Sequence, residues 1–288
     1  MNLIWQSFLD GLNWTGKMIL FDVPWFQNYF WGLIIISLFV WALEMIFPWR
    51  KEQRVFRKDF FLDGFYMFFN FFLFSAAISG FYKLIEMGLG NYGITVESIA
   101  LFNISAWSVP LQLIVFFILL DFVQWLTHVA LHRFEFFWRF HQVHHSVEEM
   151  GFAAHLRYHW MENILYKPLK TLGIMLLGGF EPEQAFVVHF IAITIGHLNH
   201  ANVHITWGPL KYIFNNPVMH LWHHVYELPE GIKYGLNYGI SLSLWDYIFG
   251  TASIPKDDAH IRLGYPGVEN MPSGFFAQLV YGFRKPKA

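Results

Sequence analysis

Residues 121–146 decide the fold of this chain, and they read DFVQWLTHVALHRFEFFWRFHQVHHS. An apolar segment runs directly into five histidines: His128, His132, His141, His144 and His145. Side chains at i and i+3, or at i and i+4, project from one face of an α-helix. Each group of histidines can therefore reach a common centre. The adjacent His144 and His145 fan apart enough to reach two metal ions.

The same two spacings return further along the chain. His200 and His204 repeat H-x-x-x-H, and His220, His223 and His224 repeat H-x-x-H-H. We expect helix in all four segments, because a helix brings residues at these spacings onto one face. An isolated histidine is usually an interfacial or packed core residue. Ten histidines in four regular groups favour metal ligation instead.

The number of histidines predicts more than one ion. A tetrahedral zinc site takes four protein ligands at most, so ten imidazoles favour two ions with about five histidines each. Imidazole suits iron, zinc, copper and nickel alike, so ligand type does not choose the metal. An all-histidine set beside a membrane favours a redox metal that acts on an apolar substrate. We therefore predict two iron ions, for which zinc can substitute in purified protein.

The composition indicates a membrane protein. Of the 288 residues, 55% are hydrophobic and 14% are charged, whereas soluble domains carry about 25% charged residues. The net charge of -2 argues against nucleic acid as a partner, because phosphate binding needs a clustered basic excess. The chain has no cysteine, which excludes disulfides, cysteine-ligated iron–sulfur clusters and cysteine zinc sites.

Apolar length predicts an all-α integral membrane fold with about three full transmembrane helices. A bilayer crossing takes about 20 apolar residues. A fourth apolar region, residues 172–198, is broken at Gly178–Glu183, which predicts a helical hairpin or two short spans. The amphipathic segment Met1–Asp22 is expected to be an interfacial helix. The three predicted spans are Phe30–Phe47, Phe60–Ile85 and Trp107–Thr127.

Basic residues predict the orientation. They crowd the loop after the first span, from Arg50 to Lys58, whereas Lys17 and Lys83 fall on the other side. By the positive-inside rule the histidine groups lie on the cytosolic face, in a histidine-rich helical cap that becomes more polar from about Asn202. We expect one domain over 1–288, with membrane helices in 1–120, a catalytic core in 121–251 and a tail in 252–288.

Several polar residues are candidates to support the ligands. Asp121 lies in the third span on the same helical stripe as His128, and a carboxylate there is costly unless it is paired. His197 is three residues before His200 and can supply the second hydrogen bond that a ligating histidine needs. The full set of supporting candidates is Asp121, His159, His197, Asn199 and Asn237.

The combined motifs resemble the fatty acid hydroxylase and sterol desaturase superfamily of integral membrane enzymes. Besides residues 121–146, the resemblance rests on NHANVHITWGPLKYIFNNPVMHLWHH at 199–224 and on NYGISLSLWDYIFGT at 237–251. It implies a di-iron centre held by the ten histidines, O2 as cosubstrate and transmembrane helices beneath a cytosolic cap. We find no cytochrome b5-like segment, so the resemblance implies a separate electron donor of the cytochrome b5, ferredoxin or reductase type.

These observations predict an O2-dependent enzyme that hydroxylates an unactivated C–H bond of a membrane lipid, such as a fatty acyl, sphingoid or sterol lipid. A lipid desaturase of the same superfamily is the alternative. A metal transporter is less favoured, because transport ligands should line a path across the bilayer whereas these cluster at one face. A zinc-stabilised structural protein is a further alternative. The expected location is a bacterial inner membrane or the endoplasmic reticulum.

Overall fold

The computed structural model describes residues 2–179 and 182–283, without the side chains of residues 96, 97, 171–177 and 182. The described chain is mostly helical, as predicted, and its only strands within the described residues are two short ones. Its longer helices are α1 (Asn2–Ile19), α2 (Tyr29–Ile46), α3 (Phe60–Phe68), α4 (Phe74–Gly90), α6 (Val109–Arg133), α7 (Glu135–His145), α8 (Trp160–Leu176) and α9 (Pro182–His200). Its shorter helices are α5 (Val96–Ile99), α10 (Pro217–His223), α11 (Leu244–Ile248) and α12 (Phe275–Gln278).

Three helices are long and apolar enough to cross a membrane, and this prediction is confirmed. The first is α2. The second runs over Phe60–Gly90, because a π-helical turn at Phe69–Leu73 joins α3 to α4 without a break. The third is α6, which begins at Val109, has Pro110 in its first turn and extends to Arg133. It therefore carries His128 and His132 in its last two turns.

The N-terminal helix α1 packs lengthwise against α4. Gly11 lies so close to Ala76 that a Cβ added at Gly11 would come within 2.8 Å of the Ala76 Cβ. Gly80 meets the backbone of Ile4 in the same way. Small residues at these points let the two helices approach closely, so α1 closes one side of the membrane-spanning part.

The predicted break in the fourth apolar region is confirmed. Helix α8 ends at Leu176, and α9 begins at Pro182. The strand β1 (Phe102–Asn103) pairs in parallel with β2 (Leu177–Gly178), which ties the turn of this hairpin to the loop before α6. Within the predicted break, Phe180 and Glu181 lie outside the described residues, as do residues 284–288 of the predicted tail.

Residues 201–283, which we call the cap, are held to α6 by buried carboxylates. Asp121 accepts hydrogen bonds from the amides of Ser241 and Leu242, at 3.0 and 3.2 Å, and from the indole of Trp245 at 3.0 Å. In return, Trp125 of α6 donates to Asp246 in the cap at 3.0 Å. Since buried charges need partners, these bonds fix the position of the cap on the helix that carries the first histidines.

A buried ion network joins the second span to the histidine region. Asp63 is fully buried and binds both Arg57 and Arg157. Arg157 also reaches Asp59 at 3.0 Å and donates to the Ser146 hydroxyl at 3.0 Å. Two arginines thus share the buried carboxylate at the point where α3 meets the loop after α7.

Removing this carboxylate should destabilise the protein strongly. Asp63→Ala leaves two buried guanidinium groups short of a counter-ion, a loss of about 3–5 kcal/mol for a broken buried pair. We expect a clear fall in the thermal unfolding midpoint of the detergent-solubilised protein. Glu148→Ala, which removes an exposed partner of Lys58, is the control and should leave the midpoint nearly unchanged. Equal midpoints in the two variants would contradict a structural role for the network.

Candidate metal centre

The structure gathers nine histidines into two buried clusters. All ligand atoms within a cluster lie within 4.8 Å of one another. We call them cluster A and cluster B. Cluster A comprises His128, His132, His141, His145 and His223, and cluster B comprises His144, His200, His220 and His224.

Adjacent histidines in the two H-x-x-H-H groups divide between the clusters. His144 points into cluster B and His145 into cluster A, whereas His223 points into cluster A and His224 into cluster B. The clusters adjoin, since the ring centroids of His145 and His224 are 4.3 Å apart. The predicted fanning of neighbouring side chains toward two centres is therefore present.

The nitrogen positions fit a metal ion in each cluster. In cluster B, the Nε2 of His220 lies 2.9 Å from that of His200 and 3.2 Å from that of His224. In cluster A, the Nε2 atoms of His128 and His141 are 3.1 Å apart. Two nitrogens bound at right angles to one ion, at about 2.1 Å each, lie about 3 Å from each other.

Hydrogen bonds at the outer nitrogen fix which imidazole atom points inward. A carbonyl oxygen can only accept, so the Nδ1 that it contacts carries the proton and the Nε2 keeps its lone pair for a metal. Five backbone carbonyls take this role. They are the carbonyls of Tyr238 for His128, Tyr234 for His132, Arg157 for His144, Gly196 for His200 and Leu236 for His223, at 2.7 to 3.2 Å.

A carboxylate supports the sixth imidazole. Glu162 Oε2 lies 2.9 Å from the Nδ1 of His141, and Glu162 Oε1 accepts from the amide of His159. Such a carboxylate orients a ligating histidine and raises its basicity. Glu162 was not predicted from the sequence. Its position in the first turn of a mostly apolar helix is the signal that could have identified it.

Burial keeps the histidines neutral, as metal binding requires. Desolvation of the charged form lowers the pKa of His144 to about 3 and lowers the pKa values of His141, His145 and His223 well below the usual range. The Nε2 atoms of His132, His145 and His223 are buried and have no hydrogen-bond partner within the described chain. An orphaned buried nitrogen is costly unless something binds it, so cluster A fits a metal ion on chemical grounds as well.

His204 lies apart from both clusters. The expected helix through His200 and His204 is wrong, because α9 ends at His200. The chain then turns to pair Val203 with Pro48. The His204 side chain is 47% exposed and bonds to Asp257 at 2.8 Å. We therefore leave it out of the proposed ligand set.

Two of the predicted supporting residues act on the cap rather than on an imidazole. Asp121 bonds to residues 241–245, as described above. Asn237 donates to the carbonyls of Met219 and Ser253, next to the Leu236 carbonyl that orients His223. Asp121 and Asn237 thus hold the cap backbone, and carbonyls of that backbone in turn orient the histidines. Neither residue contacts an imidazole directly, although such contact had been predicted.

The other three candidates lie near the clusters in different ways. His159 contacts the carbonyl of Leu279 at 2.7 Å and packs against Phe140. Asn199 donates to the carbonyl of Ile240. His197 contacts His155 at 2.8 Å, and the ring of His155 lies 5.1 Å from that of His200. None of these contacts is a hydrogen bond to one of the nine clustered imidazoles.

A cavity of about 140 Å³ opens beside the clusters. Its wall includes ligands from both clusters, among them His128 and His200, together with His155. Apolar side chains such as Phe71 and Ile193 form other parts of the wall. A substrate carbon in this cavity would lie against the histidine clusters, and apolar atoms form most of the surface that the cavity exposes.

The fold and the site define a class: a helical protein with three candidate membrane spans and two adjoining, buried clusters of histidines that could each hold a metal ion. Comparison with known proteins agrees. Residues 113–251 match the fatty acid hydroxylase family model. All ten histidines that were predicted as ligands lie within this range.

Three curated relatives are similar to part of the chain. The chain is 32% identical to an ornithine lipid hydroxylase, OlsE, from Rhizobium tropici over 62% of its length and 52% of the relative. It is 30% identical to the alkylglycerol monooxygenase of Caenorhabditis elegans, over 53% of the chain and 29% of the relative. It is 29% identical to the human alkylglycerol monooxygenase, over 65% of the chain and 40% of the relative.

The chain thus spans about half the length, or less, of the curated relatives that it matches. No solved structure matches it. The family match and the relatives support the fatty acid hydroxylase superfamily for the histidine-rich part of the chain. The resemblance predicted from the histidine motifs is confirmed.

Metal content tests the cluster assignment. His144→Ala should lose about half of the bound metal, because it removes one of the four ligands of cluster B. His204→Ala is the matched control, since this histidine has the same predicted role but lies outside both clusters, and it should keep all of its metal. Elemental analysis of the purified variants measures both. Full metal content in His144→Ala, or loss in His204→Ala, would contradict the assignment.

Glu162 gives a second test. Glu162→Ala should weaken metal binding by about 10- to 100-fold, the usual cost of losing a partner that orients a ligand. Glu162→Gln keeps an acceptor oxygen for His141 and should lose less. Competition with a chelator measures the affinity. Unchanged affinity in Glu162→Ala would show that His141 needs no such support.

Proposed function

We propose that this chain is a membrane-bound, O2-dependent di-iron oxidoreductase that hydroxylates an unactivated C–H bond of a lipid. The observation that carries the proposal is the pair of adjoining histidine clusters beside one partly apolar cavity. The names of the relatives support it, since an ornithine lipid hydroxylase and alkylglycerol monooxygenases act on lipids.

The proposed ligands are the nine clustered histidines. Two iron ions, when bound, would supply the activation of O2 and the oxidising power that removal of hydrogen from an unactivated carbon requires. Iron is preferred to zinc because zinc has no redox chemistry. The reducing electrons would come from a separate donor protein of the cytochrome b5, ferredoxin or reductase type.

The protein's own contribution is alignment and exclusion of water. The carbonyl acceptors and Glu162 keep six of the nine imidazoles in one tautomer and one orientation. The apolar side chains Phe71, Leu156 and Ile193 line the cavity beside His144 and His200, so an alkyl segment is favoured there over water. The carbon to be oxidised is thereby held against both clusters.

Residues 121–251 act as one catalytic unit in this proposal. Ligands come from α6, α7 and α9 and from the cap, and the cap also supplies the acceptors for His128, His132 and His223. The positive-inside distribution of Lys and Arg supports a cytosolic position for this unit. Hydroxylation is preferred to desaturation because the named relatives are a hydroxylase and monooxygenases.

Lipid analysis of a host tests the proposed function. We expect expression of the chain, with iron and air, to produce a lipid that is heavier by one oxygen atom. His145→Ala, which removes a ligand of cluster A, should abolish the product, whereas His204→Ala should retain it. A product lighter by two hydrogens would support the desaturase instead. An unchanged lipid profile with two iron ions bound and a competent donor present would contradict both.

A further inference from the structure

A second cavity, of about 480 Å³, lies between α1, α4, α8 and α9. Trp14 and Met18 of α1 and Phe72, just before α4, give it a largely apolar wall. Two cationic side chains, Lys167 and Lys170 of α8, also line it. The proposed function does not use these lysines, and an ionisable residue in such surroundings is a functional-site hypothesis by default.

Neither lysine has an anionic partner in the described parts of the chain, residues 2–179 and 182–283. The amine of Lys167 donates to the hydroxyl of Ser75 at 2.7 Å. The amine of Lys170 lies 5.3 Å from the ring centroid of Tyr166. Neither amine forms a salt bridge there. A half-buried ammonium group that lacks an anion is costly, so these two charges point to a missing partner.

Asp121 attracts Lys170 electrostatically, but it does not serve as that partner. Both oxygens of Asp121 already accept hydrogen bonds from Ser241, Leu242 and Trp245. Its role in holding the cap therefore leaves it unable to turn toward the cavity. No described residue therefore forms a salt bridge with the lysines of the cavity.

The spacing of the two lysines adds to this argument. Residues at i and i+3 are neighbours on a helix surface, and like charges at such spacings destabilise it. Lys167 and Lys170 line the same cavity. Their side chains therefore share one partly enclosed space, where bulk water screens the repulsion between the two charges less. An anion between the two amines would convert this repulsion into two attractive contacts.

The second cavity adjoins the cavity at the metal clusters. Phe71, Tyr166, Lys170 and His189 are among the residues that line both. Lys170 follows Glu162, the partner of His141, by eight residues of α8, which is about 12 Å in an ideal helix. In a lipid whose acidic group is bound at Lys170, a carbon several bonds along the chain from that group could therefore reach the clusters.

We propose that Lys167 and Lys170 bind the carboxylate or phosphate of an acidic lipid substrate, so that a carbon several bonds from this group reaches the metal clusters. The inference rests on the proposed function and specifies the class of substrate. The rest of the lipid would occupy the apolar part of the second cavity, beside α1.

Binding of paired probes tests the site without turnover. The metal-loaded protein in neutral detergent is titrated with oleate and with oleyl alcohol, and with an oleoyl lysophosphatidate and monoolein. Wild type should bind at least one acidic probe about 10- to 100-fold more tightly than its neutral partner, as hydrogen bonds to charged groups allow. The double variant Lys167→Met/Lys170→Met should lose this preference and bind the neutral probes as wild type does.

Three controls make the result specific. Lys17→Met removes an exposed charge of α1 that does not line the cavity, and it should keep the preference. The double arginine variant should restore it, and the double methionine variant should retain both metals. Millimolar inorganic phosphate should not displace the lipid. Displacement would mean that the site takes a free anion and would overturn the substrate assignment, as would equal binding of acidic and neutral probes by wild type.

The outcome separates this inference from the proposed function. If the host forms an oxidised lipid that is neutral, and the double methionine variant forms as much of it, the enzyme stands and the acidic substrate class fails. If no oxidised lipid forms but the preference for acidic probes depends on the two lysines, the anion site stands and the proposed function fails.

Discussion

The metal centre depends on one constraint, which is that a neutral imidazole carries a single ring proton. To bind a metal through Nε2 it must keep that proton on Nδ1, and something must hold it there. For six of the clustered histidines the structure provides an acceptor, five of them backbone carbonyls and one the carboxylate of Glu162. A carbonyl cannot change its role with pH or rotate away. The inward direction of these lone pairs is thus built into the fold of the backbone.

This constraint explains why so much of the cap is fixed to α6. Tyr238, whose carbonyl orients His128, donates its amide to Asp246 at 2.9 Å. Asp246 is in turn bound by Trp125, which precedes His128 by one helical turn. The helix that carries the ligand therefore also holds the segment that orients it. Asp121 plays the same part for the following residues, and a closed set of contacts like this restricts the site to one arrangement.

The membrane-facing half has a related organisation. The carboxylate of Asp63 in the second span holds Arg157, and the carbonyl of Arg157 orients His144. Lys170 and Tyr166 stand between the metal cavity and the larger cavity beside α1. Neither of the two half-buried lysines of α8 forms a salt bridge with another described residue. Buried carboxylates and arginines are thus paired beside the histidine clusters, whereas the proposed lipid site has two lysines without a salt-bridge partner among the described residues.

The sequence by itself determined the three spans, the break after Gly178 and the nine clustered histidines, which are among the ten that were predicted as ligands. These features follow from local rules, namely apolar length, glycine and proline at a helix end, and the i, i+3 and i+4 spacing on a helix face. The division of His144 from His145, and of His223 from His224, also follows from side chains at adjacent positions diverging around a helix axis.

Only the tertiary structure decided which histidines meet and what supports them. His204 has the right spacing, but the helix ends at His200, and Val203 then pairs with Pro48 in the segment that follows α2. Glu162 and the carbonyls of Tyr234, Leu236 and Tyr238 are distant in sequence from the histidines they orient. A backbone carbonyl is present at every residue, so no sequence pattern marks the ones that matter. The open charges of Lys167 and Lys170 likewise emerge from packing, because a missing partner is a property of the surroundings.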